Sequence, residues 1–363
     1  MGERFAMVVF HDAEDLVDAA GLGLLDVAIA RGTAFAQLPV EPIVQRANGF
    51  QRRHLGSHYC EEFDESHGKA MVVRDALGAA LPAAGVGCAF ARASLELLCE
   101  RADERRANAH EGDTETRPMP FDADSLTEDY ELGLAVAECG GACRFVRARG
   151  EDGRLIATRA LFPARLETVV RQKTRWIHGI ALQGWDRVAW TRSPLEIWMR
   201  GRDRRGPLTA LVLSLGYVLL VLTAVLWGAR AAGLAPLLAV SPLIEALLVA
   251  NLAAFAWRAA WRLAFTASVH GLSEGLRAVL RIPLANRVAI LAGRAIGWDK
   301  TPHESRSMNE GLRTGAAQIG IAGSAPRLAY PSGGLPARLS VGNSRPSARN
   351  RTGSDAGKGL AAS

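Results

Sequence analysis

The sequence predicts an α/β domain over residues 1–200, followed by two membrane helices over 201–262. Three observations carry this prediction. Short apolar runs alternate with segments of helical period and end in acidic or glycine-bearing loops, the rhythm of an open sheet whose ligands gather beyond its strand ends. Leu208–Trp227 then runs uncharged for about 20 residues, enough to cross a hydrocarbon core of about 30 Å. Arginines cluster at the outer ends of the apolar segments, as they do on the cytoplasmic side of a bilayer.

Composition agrees with a soluble domain on a few membrane segments. Hydrophobic residues make up 49% of the 363, and the mean hydropathy of +0.06 lies between soluble and polytopic proteins. The net charge of +6 comes from arginines that thicken beside apolar runs. An anionic lipid surface accounts for that layout, and no nucleic-acid partner is expected. The five cysteines are too sparse for a disulfide scaffold, and the Cys139–Cys143 spacing does not suit a zinc knuckle.

In chain order, Phe5–Phe10 reads as a buried strand, Leu16–Ala30 as a helix and Thr33–Pro39 as a second strand. Phe50–Leu77 carries aromatic and charged residues at helical spacing, one or two amphipathic helices. Gly85–Phe90 is a glycine turn into a strand, with helix resuming from Ala93. Arg101–Pro120 is charge-dense and ends in prolines, a solvated loop. Leu126–Ala137 is a helix with Thr127 as its N-cap candidate. Arg144–Val146 and Leu155–Thr158 read as a strand pair, and Leu166–Trp190 as one helix. Leu234–Trp257 is a second membrane candidate. Residues 263–304, with arginines among leucines, read as amphipathic interfacial helices, and 305–363 as a disordered tail. Both ends of the membrane pair then face the cytoplasm.

Three blocks carry candidate chemistry. His11-Asp12-Ala13-Glu14-Asp15 sets three carboxylates at a strand end, suited to a hard cation or to a solvated turn. Thr127-Glu128-Asp129 offers a general base, or simply acids in a helix's first turn. Gln172-Lys173-Thr174-Arg175-Trp176 offers a guanidinium for phosphate and an indole face for a sugar, or an interfacial helix.

In their order and spacing, with apolar helices following the last, these blocks resemble the motifs of membrane-bound, processive family 2 glycosyltransferases. The Gly85-Val86-Gly87 turn, Arg202-Asp203-Arg204-Arg205-Gly206-Pro207 and Trp298-Asp299-Lys300-Thr301-Pro302-His303 are similar to a bacterial inner-membrane subgroup of that family. The resemblance implies a GT-A-like fold, residues 1–200 forming its C-terminal half on the cytoplasmic side. It implies inverting transfer from a UDP-sugar to a surface polysaccharide, Mg²⁺ or Mn²⁺ as cofactor, and export or outer-membrane proteins as partners. It places Asp12, Glu14 and Asp15 on the metal and diphosphate, and makes Asp129 the base, with Glu128 beside it. Gln172, Arg175 and Trp176 would position acceptor and pyrophosphate, and Gly85 and Gly87 would line the acceptor channel. The family carries upstream membrane helices and a βαβ half, where here only Met1–His11 precede Asp12. The chain is therefore expected to be a fragment or a wrongly started gene model, with a parallel sheet left open at one edge. The alternative is a catalytically incomplete, membrane-anchored remnant or scaffold of a surface-polysaccharide or phage-receptor assembly.

Overall fold

The computed structural model describes residues 5–45, 49–108, 119–121, 124–188, 190–234 and 241–296. The Trp298–His303 block and the 305–363 tail lie outside them.

The domain is mixed α/β and rich in helix. Strand β1 (Met7–Phe10) leads to helix α1 (Ala19–Ala30), capped by the Asp18 carboxylate on the Ala20 amide at 3.0 Å. Strands β2 (Phe35–Gln37) and β3 (Val40–Pro42) follow, then α2 (Phe50–Glu65), one widened π turn, and α3 (Met71–Leu77). Strand β4 (Cys88–Ala91), α4 (Arg92–Asn108), α5 (Glu128–Glu138), β5 (Cys143–Phe145) and β6 (Thr158–Ala160) complete the sheet-bearing part.

The main sheet has the order β1-β4-β2-β5, with β4 antiparallel to both neighbours and β2 parallel to β5; β3 and β6 form a separate parallel pair. The expected parallel sheet is thus corrected to a mixed one. Among the described residues β1 stands at an edge, and all four of its residues are half-buried. Alternation along β2 and β4 sorts the core. Phe35 and Phe90 stack at 4.6 Å in a cluster with Leu81, Leu132 and Val136, while Ala36 and Ala89 face Leu25 of α1.

Three further expectations are corrected. Arg144–Val146 and Leu155–Thr158 do not pair with each other. Gly150–Gly153 makes a tight turn closed by one Arg149–Leu155 bridge, and the chain beyond it joins β3 as β6. Arg101–Asn108 extends α4 rather than looping, since Arg, Glu and Ala all favour helix. The helix from Leu166 is not continuous to Trp190. Helix α6 stops at His178, a π turn covers Gly179–Gln183, and α7 (Gly184–Arg187) is one turn long.

Helix α8 (Pro194–Asp203) precedes α9 (Gly206–Ala231) and α10 (Pro242–His270), two helices long and apolar enough to cross a membrane. Only 6% and 0% of their most apolar stretches are buried, so neither is a core helix of this domain. Helix α10 starts later than Leu234 and runs well past Trp257. Helices α11 (Leu272–Leu280) and α12 (Ile282–Ala295) form the amphipathic pair, α11 packing on α10 and α12 between α6 and α9. In α11 the usual arrangement is inverted. Leu272, Leu276 and Leu280, spaced by one turn each, are exposed, while Glu274 is buried.

Candidate functional site

Arg175 links the three chemical blocks through its charge, which opposes the raised pKa of both Asp12 and Asp129 although the blocks stand far apart in sequence. The loop after β1 closes as a turn: the Asp12 amide donates to Asp15 Oδ2 at 2.9 Å and the Asp15 amide to the Asp12 carbonyl at 3.1 Å. Asp12 and Glu14 are exposed, while the Asp15 carboxylate is 1% exposed with His11 Nδ1 at 3.7 Å. Partial desolvation raises the Asp12 pKa, the Asp15 and Glu14 charges raise it further, and Arg175 and His11 oppose them.

Asp129 opens α5. The Tyr130 amide donates to its Oδ1 at 2.8 Å. Burial pushes its carboxyl up to about 6, the Glu128 charge adds, and the Tyr130 amide and Arg175 pull the other way. Thr127, read as a capping residue, makes no capping bond. Its hydroxyl is buried without a partner against Gly179, where a Cβ would lie 2.5 Å from Thr127 Oγ1. The Thr-Glu-Asp block is therefore seated on the turn that follows α6, and this close approach is where the regular helix gives way to a π turn.

The Gly85–Gly87 turn packs on the other side of Asp129. Gly85 has φ +78°, and a Cβ there would sit 2.5 Å from Asp129 Oδ2. Buried Gln37 fixes this turn, accepting from the Ala84 amide at 2.9 Å and donating to the Val86 carbonyl at 2.9 Å. Gly85→Ala should therefore displace Asp129 and lower transfer by ~10²-fold, mostly in kcat. Gly23→Ala, at a helical site with open space around it, should leave kcat unchanged.

Gln172 and Trp176 share the other face of α6. Gln172 Oε1 accepts from the Tyr59 hydroxyl at 2.6 Å, and Trp176 packs edge-on to Tyr59 at 6.2 Å. Lys173, paired with Glu62, holds its ammonium over both the Tyr59 and Trp176 rings at 4.7 and 4.8 Å. Trp176 also lines a cavity of about 480 Å³ with Lys173, Arg262 and Asp203. The structure thus sets Gly85 against Asp129, holds Asp12 and Asp129 both within the field of Arg175, and turns Gln172 and Trp176 toward α2.

The fit to a divalent cation rests on orphaned groups. At the loop after β1 the buried atoms without a hydrogen-bond partner are both His11 nitrogens and Asp15 Oδ1, groups that suit a cation, whereas the equally unpartnered Arg175 Nε suits only an anion such as the diphosphate. Among the described residues no three His, Cys, Asp or Glu side chains gather as a metal cage. An ion here would complete its shell with oxygens of water or a bound diphosphate, as Mg²⁺ commonly does.

Sequence reasoning missed four contributors. Gln37 and Tyr59 carried no signal beyond burial. Tyr130 directly follows the Thr-Glu-Asp block, and its hydroxyl donates to Asp203 Oδ2 at 2.8 Å. Asp203, the one acid inside an arginine block, also pairs with Arg74. That charge reversal was the available clue.

The chain belongs to a glycosyltransferase family: residues 7–272 match the family described as glycosyl transferase family group 2. It is 30% identical to bacteriophage adsorption protein B of Escherichia coli K12 over 85% of its length, and equally to bacteriophage N4 adsorption protein B of E. coli O157:H7. It spans 44% of the length of each of these relatives.

Proposed function

We propose that this chain contributes the acceptor-side part of a GT-A-type, inverting glycosyltransferase held in the bacterial inner membrane. The convergence of Asp12, Asp129 and Arg175 carries the proposal. Asp129 takes the acceptor hydroxyl's proton as that oxygen attacks the anomeric carbon, and the nucleoside diphosphate departs from the opposite face. Arg175, charged and with Nε unpartnered, meets the diphosphate's negative charge. Asp12 and Glu14 would hold Mg²⁺ or Mn²⁺, which when bound neutralises the leaving diphosphate. Asp15 shapes the turn and keeps one oxygen free for the same purpose. The cavity behind Trp176 suits a sugar chain, and the relatives' names point to a cell-surface acceptor connected with phage adsorption.

Membrane attachment is supported by α9, α10 and the outward leucine stripe of α11, whose Glu274 is buried against Arg281. The arginines at 200, 202, 204, 205, 258 and 262 support a cytoplasmic side for residues 1–200 by the positive-inside rule. A UDP-sugar is the donor this reading favours.

The test is UDP binding to the detergent-solubilised chain, by calorimetry with and without Mn²⁺. Binding should require the ion and fall at least ~10-fold in Asp12→Asn, the scale set by loss of a metal contact. A chain that binds no nucleotide with any divalent ion is instead the membrane-anchored scaffold.

A further inference from the structure

Where α8 meets α10 there is a cavity of about 700 Å³, walled by Trp198, Trp257 and Trp261 and edged by Arg202, Arg205 and Arg258. We propose that this cavity binds the phosphate headgroup of a single anionic phospholipid, its acyl chains lying over the tryptophans.

The arginines of this region divide by what they touch. Arg200 pairs with Glu138 at 2.7 Å. Arg204 stacks over Trp185 and Trp190 at 5.1 and 4.6 Å and donates to the Gly184 and Val188 carbonyls. Asp203 serves Arg74 and Tyr130. Arg202, Arg205 and Arg258 are different: among the described residues none has a side-chain hydrogen bond or ion pair. The cavity's acid, Glu65, is 3.5 Å from Lys69, which also lines the wall. Burial, and then the charges of Arg202 and Arg258, lower the Arg205 pKa, and the more weakly acting Glu65 and Asp203 oppose them without pairing to it.

Position selects a lipid over a soluble anion. Arg205 immediately precedes α9, and Arg258 lies within α10 just after Trp257, where the uncharged run of that helix ends, so the three guanidinium groups border both apolar stretches. Trp198 and Trp257 are 70% and 64% exposed. A soluble phosphate would satisfy the arginines and leave those indoles in water. A phospholipid covers both, with phosphate on the fork-shaped donors and glycerol and acyl chain on the rings. The volume lies within the range of specific small-molecule sites.

This inference rests on the membrane part of the proposed function and is independent of glycosyl transfer. The experiment is native mass spectrometry of the full chain released from nanodiscs of equal phosphatidylglycerol and phosphatidylcholine. The wild type should retain one phosphatidylglycerol with roughly tenfold or greater preference over phosphatidylcholine, the scale expected for several arginines at a lipid surface. Arg202→Gln/Arg205→Gln/Arg258→Gln should lose the preference while entering the discs equally well. Equal retention of the two lipids by the wild type overturns the site, whether or not the triple variant folds. Undiminished preference in a folded triple variant also overturns it. Loss of the lipid to excess inorganic phosphate would mean the site takes free phosphate, against the proposal. A chain that does not enter the discs overturns the membrane reading itself, and this inference with it.

Discussion

Asp129→Asn is expected to lower glycosyl transfer by ~10²–10⁴-fold, the usual contribution of a positioned general base, while membrane retention is unchanged. It should also make the protein more stable at neutral and alkaline pH. Burial raises the Asp129 pKa from 3.8 to about 6. A carboxyl whose folded pKa is raised contributes stability fully present below about 3.8 and lost as pH rises through about 6. At pH 8 the native state therefore carries an ionised carboxylate that is costly to bury. Asn keeps an acceptor for the Tyr130 amide without the charge, so the variant should gain ~1–3 kcal/mol at pH 8 and almost nothing at pH 4. The same pKa sets the acid limb of the rate profile: wild-type kcat/KM should fall below about pH 6 as the base protonates. Arg175→Gln removes a charge that lowers this pKa, and should move the limb to higher pH. The checks are thermal unfolding at the two pH values and a pH–rate series. Full activity in the Asn variant, or an unchanged limb in Arg175→Gln, would count directly against Asp129 as the base.

What could be read from the sequence followed how local its physics is. The strand Met7–Phe10, the helix through Tyr130–Val136 and the apolar stretch of α9 each announce themselves by period or run length within one segment. The convergence of Asp12, Asp129 and Arg175 was implied only by resemblance, since no spacing rule predicts how one loop and two helices are set relative to one another. Strand partners were illegible for a related reason. β5 and β6 are only three residues each, and their pairing with β2 and β3 is chosen by side chains such as Phe145 and Val40 finding separate core clusters. Thr127 shows the limit from the other side. Its position says cap, but the packing of Gly179 against its hydroxyl decides otherwise.

Helix α2 supplies the second large effect. On the sequence alone Glu61, Glu62 and Asp64 belong to the amphipathic reading of Phe50–Leu77; in the structure each meets a basic side chain from a distant element. Lys173 of α6 takes Glu62, and His270 Nε2 lies 3.4 Å from Asp64 Oδ1. Glu61, fully buried, accepts from Arg281 Nε at 3.1 Å and Nη2 at 2.9 Å, and from Arg262 Nη2 at 3.0 Å. Arg281 is 2% exposed and also donates to Glu274. This network joins the α/β domain to α10, α11 and α12, and its centre, Glu61 with Arg281 and Glu274, is desolvated while Glu62 stays exposed. Glu61→Ala should thus cost ~3–5 kcal/mol, because it strands the Arg281 guanidinium between α2 and α11 with only Glu274 to answer it. The pair's net worth is a separate quantity. Replacing Glu61, Glu274 and Arg281 together by Met, Leu and Met should recover most of that loss, since well-packed apolar groups match a buried ion cluster in stability. Denaturant unfolding in mild detergent separates the two outcomes. If the triple replacement stays as unstable as Glu61→Ala, the charges themselves hold the domain to its membrane-proximal helices. If it recovers, packing does, and the charges serve to set which face of α2 those helices meet.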